Sequence, residues 1–185
     1  MFGGGGHDVD EALDRLLGRM ERSGVASAEQ LVGCSASEVA ALEAKYSLRL
    51  PTSYRRYLEV MGHGSGRLFK HDHMAVTYPY VLEMTRDQHQ LWAKWRDEHG
   101  RHPAPPPEFV FPSDALIIAG RLGEQFSFIR CSGQDDVPVW YLNNYRWQTR
   151  EMHASVLEWL ECWCEAAEGA IASGYFDEYP EGTTP

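Results

Sequence analysis

No run of about 18 apolar residues occurs in this 185-residue chain, so no membrane-spanning helix is expected. The opening stretch MFGGGGHDVDEALDRL lacks the charged start and apolar core of a secretory signal, and a cytoplasmic protein is expected. Cysteine is sparse. Cys34, Cys131, Cys162 and Cys164 form no framework, and a chain of this size needs no disulfide staples, so they read as reduced thiols. Cys162 and Cys164 stand two apart in a helical stretch and point about 200° apart around its axis, which argues against a shared ligand site.

Basic residues are also in short supply. Seventeen Lys and Arg face 27 Asp and Glu, a formal net charge of -10 that disfavours nucleic-acid binding. The imbalance is uneven: Glu151 to the C-terminus holds eight acids and no Lys or Arg, so this segment alone carries -8. Catalytic signatures are missing too. There is no His-Glu-x-x-His and no Gly-x-Ser-x-Gly elbow, and Ser65 in GHGSGR follows a helix instead of preceding one. GRLGEQ has no Lys-Ser/Thr where a phosphate loop requires it. Asp135 and Asp136 fall in a hairpin connection, where acids are ordinary turn formers. No catalytic residue and no cofactor are expected, although a small metal-dependent hydrolase stands as a third reading.

What is present is an ordered series of periodic segments. Val9, Leu13, Leu16, Leu17 and Met20 recur at helical spacing, with Gly24 after the end. The Gly3–Gly6 run before them reads as flexible linker sequence. SASEVAALEAKY carries Ser35 and Glu38 at capping-box spacing and Val39, Leu42 and Tyr46 on one stripe. Pro51 after Leu50 breaks that helix and suits the first turn of another, whose apolar face is Tyr54, Tyr57, Leu58 and Met61, with Gly62 placed to cap its end. YVLEMTRDQHQLWAKWRDEHG predicts a further helix with Leu91, Trp92 and Trp95 inward and Gly100 near its stop. The period then changes: ALIIAG, QFSFIR and VPVWYL predict antiparallel strands joined by tight connections. A last helix is expected over 154–172, carrying Val156, Leu157, Leu160, Trp163, Cys164, Ala167 and Ile171. Helices, then strands, then a closing helix predict an α+β fold. The expected organisation is a flexible N-terminus over 1–8, one domain over 9–176 and an acidic tail over 177–185.

The stretch ASEVAALEAKYSLRLPTSYRRYLEVMGHGSGRLF resembles the signature of the SUKH immunity-protein superfamily (SMI1/KNR4-like). It offers a helix with a mid-helix Glu, Leu50-Pro51 before a Tyr-containing helix, and a glycine-rich turn entering a strand. GEQFSFIR, DDVPVWYL and SVLEWLECW follow in the order of that family's later blocks, so the similarity covers about 35–172. MGHGSG stands where Asn-Gly-Gly is commoner, and the insertion around Trp92 to Pro107 is less typical. The resemblance implies N-terminal helices and a C-terminal helix packed on a twisted, mostly antiparallel sheet. It also implies a non-catalytic protein that neutralises a cognate bacterial polymorphic toxin by binding, or a regulatory or scaffolding interaction domain. Leu50, Pro51, Tyr54, Tyr57, Leu58 and Gly62 are expected to be scaffold residues.

Two polar groups call for a choice between chemistry and solvation. His63, His71, Asp72 and His73 are the best metal candidates by residue type. In an extended segment, however, only His71 and His73 share a side, so a solvated polar loop and no metal are expected. Glu158, Glu161, Glu165 and Glu168 fall on one helical face, where like charges cost a few tenths of a kcal/mol each. A one-sign field of this kind steers a basic partner, and nuclease toxins are basic because they grip phosphates. These four glutamates, with Asp135 and Asp136, are the expected partner-binding residues, and the expected partner is a toxin domain, not a nucleic acid or a membrane. Failing that, the exposed side of the sheet near Gln125, Asp135 and Tyr141 is the next surface to consider.

Overall fold

The computed structural model describes residues 5–97, 105–180 and 182. Helix α1 (Gly5–Ser23) leads through a single 3-10 turn to strand β1 (Leu31–Val32), followed by helices α2 (Ala36–Tyr46) and α3 (Thr52–Met61). Short strands β2 (Gly64–Ser65) and β3 (Met74–Ala75) precede the long helix α4 (Tyr78–Asp97). Strands β4 (Ala115–Arg121), β5 (Gln125–Arg130), β6 (Val139–Asn143) and β7 (Gln148–His153) come next, and helices α5 (Val156–Ala172) and α6 (Tyr175–Glu178) end the described chain. Strands β3 to β7 form one antiparallel sheet in chain order, while β1 and β2 pair separately. The fold is α+β, with helices packed on an antiparallel sheet.

Local chemistry accounts for most of the helix boundaries. α1 buries Val9, Leu13, Leu16 and Met20 and stops before Gly24, whose φ of +75° favours glycine. It starts inside the glycine run, so Gly5 and Gly6 belong to its first turn and not to a linker. The Ser35 and Glu38 capping box forms at α2, with Ser35 Oγ accepting from Glu38 N–H and Glu38 Oε2 accepting from Ser35 N–H. α3 takes Pro51 at its N-cap and buries Tyr54, Tyr57, Leu58 and Met61, each at most 1 % exposed. Gly62 ends α3 in right-handed geometry (φ -67°), not as a left-handed cap. Its requirement is space, because a Cβ there would fall 2.5 Å from Cys34 Sγ and 2.7 Å from the Leu58 carbonyl oxygen.

Strands β4, β5 and β6 occupy the segments whose composition predicts them, but the sheet is larger. β7, Gln148–His153, has no apolar alternation and no buried residue, so nothing in its sequence marks a strand. It exists because it closes the free edge of β6, pairing from Val139 opposite His153 to Asn143 opposite Gln148 with a register shift between Val139 and Trp140. At the other edge β3 pairs only with Gly120 and Arg121, and α4 lies along the remainder of β4. There the Thr85 hydroxyl accepts a 2.9 Å hydrogen bond from Ile117 N–H at a bulge, satisfying a donor that a strand would otherwise take. α4 therefore serves two cores: Val81 joins the one beneath α1, α3 and α5, and Met84 and Trp92 join an aromatic one with Phe111, Phe126, Phe128 and Trp147. Leu91 is half-buried. The Trp95 side chain, Gly100, His99, His102, Gly3 and Gly4 lie outside the described residues, as do 98–104 of the insertion between Trp92 and Pro107.

At the centre of the larger core Tyr57 of α3 meets Phe69 (6.4 Å between ring centroids) and Trp159 of α5 (6.1 Å), both edge-on, and Phe69 meets Trp159 at 5.2 Å. Leu58, fully buried beside this cluster, sets a direct test. Leu58→Ala should lower unfolding stability by about 2–5 kcal/mol, read from urea denaturation at unchanged slope. A loss within measurement error would show that α3 does not bury this face.

Candidate partner-binding surface

Helix α5 is held by Val156, Trp159, Leu160, Cys164 and Ala167, all buried, and the opposite side of the helix is left to the glutamates. They do not act as one set. Glu158 closes the N-terminus: its amide donates to Ser155 Oγ at 3.0 Å and its Oε2 accepts from Ala154 N–H at 2.5 Å. Glu168 accepts a two-pronged pair from Arg19 of α1, Nε to Oε1 at 2.9 Å and Nη2 to Oε2 at 2.6 Å. The positive charge missing from the C-terminal segment is thus supplied at Glu168 from 149 residues away. Glu161 and Glu165 lie between these two anchors and are exposed.

Asp135 and Asp136 are both engaged with helix N-termini. The Asp135 carbonyl accepts from Ser53 N–H at 2.9 Å and its Oδ1 accepts from the Thr52 hydroxyl at 2.7 Å, supplying the acceptor that Pro51 cannot offer α3. Asp136 Oδ1 accepts from Val137 N–H and from Val156 N–H at the start of α5, both at 3.0 Å. Adjacent aspartates place negative charge at the positive ends of two helices. The turn between β5 and β6 thereby fixes α3 against α5.

On the other flank of α5 the sheet forms a groove of about 160 Å³, lined by Arg121, Gln125, Ser127, Tyr141, His153 and Trp163 among others. Arg121 Nε donates to Asp72 Oδ1 at 2.8 Å on one side, and the Arg150 guanidinium lies 5.3 Å from the Tyr141 ring. Gln125 and Tyr141 share this groove, whereas Asp135 is at the start of α3. The sheet surface here is not open, because α5 covers part of it. Two larger hollows lie on the opposite side: one of about 520 Å³ beside Met84, Gly120 and Phe126, and one of about 480 Å³ beside Phe109, Trp140 and Arg146.

The histidine segment is a run of turns over 66–73 and not an extended strand, so the expected same-side placement of His71 and His73 does not arise. His71 is not a solvated loop residue either: its ring packs 5.3 Å from Trp163, and burial lowers its pKa against the opposing pull of Asp72. Asp72 is taken by Arg121, and His73 has φ +44° in the turn. His63 is elsewhere, its Nε2 2.9 Å from Glu38 Oε1 and close to Cys34. Burial, with the Glu38 charge adding to it, pushes the Cys34 thiol up to about 12. Sequence reasoning could see Cys34 and Glu38 flanking one helix cap, but no local pattern connects them to His63. Cys162 is exposed and Cys164 buried, so the two do not form a pair.

Among these groups Glu168 has a pH consequence whose sign follows from its partner. Its pKa is lowered chiefly by the hydrogen bonds from Arg19, so the folded state holds the carboxylate more tightly than the unfolded chain does. The stability from this pair is fully present above the unfolded carboxylate value and is lost as pH falls through the lowered one. Glu168→Gln should therefore flatten the acid limb of a plot of stability against pH and leave changes near neutral and alkaline pH parallel to the unmodified chain. An acid limb of unchanged slope would contradict the pairing.

Comparison with known proteins agrees with this architecture. No curated protein matches the chain. A family model, that of the SMI1 / KNR4 family (SUKH-1), matches residues 33–162. That span runs from the cap of α2 through the whole sheet and into α5, so the chain belongs to the SMI1 / KNR4 family (SUKH-1).

Proposed function

We propose that this chain is an immunity protein that binds a cognate bacterial polymorphic toxin and blocks it stoichiometrically, without chemistry of its own. The family is known for immunity-type domains that are generally non-catalytic, which supports the class of function. Within that class the observation that carries the reading is charge. Glu161 and Glu165 stand exposed in the middle of α5, in a C-terminal segment with eight acids and no Lys or Arg. Surface helices normally mix signs, and a one-sign face orients and accelerates encounter with an oppositely charged partner. A basic toxin domain, as a nuclease would be, fits this face. The domain that does this spans 9–176, although α6 (Tyr175–Glu178) crosses the end of it, with Phe176 buried beneath the Arg67 guanidinium at 4.9 Å. Among the described residues no helix is long and apolar enough to cross a membrane. The proposed place of action is the cytoplasm, where a toxin would meet its target.

The anchoring of Glu158 and Glu168 makes the test specific. Reversing Glu161 and Glu165 together to Lys should slow association with the cognate toxin by about an order of magnitude at low salt and leave melting temperature nearly unchanged. Unmodified protein should lose association rate steeply as salt rises. An association rate indifferent to both would move the contact surface to the groove beside Trp163 and Tyr141.

A further inference from the structure

We propose that Cys34, Glu38 and His63 form a binding site for a zinc-like divalent transition metal ion. One ligand atom from each, the thiol sulfur, a carboxylate oxygen and an imidazole nitrogen, lies within 4.8 Å of the other two. A tetrahedral zinc ion with its usual bond lengths holds such atoms about 3.3–3.6 Å apart. The three groups therefore need to move by little more than an ångström, and a water would complete the tetrahedron beside the part-exposed His63 and Glu38. Sulfur, imidazole and carboxylate together suit zinc and disfavour calcium or magnesium, which take oxygen ligands.

The surroundings hold each ligand in place. Cys34 N–H donates to the Leu58 carbonyl at 2.8 Å, and His63 N–H donates to the Val32 carbonyl at 2.8 Å. Glu38 Oε2 is occupied by the Ser35 amide and hydroxyl, both at 2.8 Å, which turns Oε1 toward His63. The His63 ring rests edge-on against Tyr78 at 5.4 Å, and the Tyr78 hydroxyl donates to the Glu38 carbonyl at 3.0 Å. Gly62 lets the backbone of the α3 terminus approach Cys34 Sγ closely, since any Cβ there would collide with the sulfur. Support of this kind around a ligand set orients the ligands and raises affinity. Side-chain exposures of 29 % for His63 and 36 % for Glu38 leave an entry path from solvent. On binding, the thiol proton leaves to solvent and the ion joins the loop before α2 to the turn after α3. The site lies apart from the acidic face of α5 and does not depend on the toxin-binding reading.

Cobalt(II) titration of the full chain near neutral pH, followed by absorption, tests the assignment. The expected result is one equivalent bound, with a thiolate-to-cobalt charge-transfer band that zinc abolishes by displacement, and a melting temperature that rises with zinc. Cys34→Ser should remove the charge-transfer band, and His63→Ala should weaken zinc binding at least about tenfold. Glu38→Gln retains the capping-box geometry, which accepts Gln at this position, and so separates folding from ligation: it should melt near the unmodified chain and still lose at least about tenfold in zinc affinity. No charge-transfer band in the unmodified protein, a band that survives Cys34→Ser, or zinc affinity unchanged in Glu38→Gln and His63→Ala would overturn the site.

Discussion

Burial of one face of a ten-residue helix is the constraint on which the rest of the molecule depends. Tyr54, Tyr57, Leu58 and Met61 of α3 are all but inaccessible, and Tyr57 brings together Phe69 from the turn region and Trp159 from α5. Aromatic side chains of this size dominate the apolar area removed from water, so their junction sets where α5 can lie. Everything proposed for function hangs from that placement. The C-terminus of α3 carries Gly62 and His63 to Cys34, its N-terminus is closed by Asp135, and the next residue, Asp136, closes α5.

The parts legible in the sequence were those with a local cause. Ser35 and Glu38 announce a helix start because the two side chains and two amides involved lie within four residues. Pro51 marks the break between α2 and α3 for an equally local reason, and the β-branched runs of β4 to β6 mark a buried sheet. β7 was invisible because its stability comes from pairing with β6 and not from its own side chains. The histidine run departs from the extended geometry its sequence suggests because turns occupy 66–73, and Trp163 arrives from α5 to pack against His71.

Long-range pairing changed the meaning of the acidic residues most. On the sequence, Glu158, Glu161, Glu165 and Glu168 are equivalent members of a stripe. In three dimensions Arg19 occupies Glu168 and the α5 cap occupies Glu158, so the stripe narrows to Glu161 and Glu165, the two exposed members outside the cap and the ion pair. Asp135 and Asp136 change in the same way, from turn formers to acceptors at helix N-termini. A surface with a few exposed charges of one sign is suited to setting association rate and orientation, while tight binding needs neighbouring apolar contact. Trp163 and Tyr141 on the other flank of α5 provide apolar surface of that kind.

Neutralisation by occupancy, as proposed, is tested by titrating toxin activity with purified chain. With toxin well above the dissociation constant, activity should fall linearly and reach zero at a fixed molar ratio near one, independent of incubation time. Inactivation that proceeds with time at a small fraction of an equivalent would show that the chain acts as a catalyst on the toxin. Full toxin activity in the presence of excess chain would contradict neutralisation altogether.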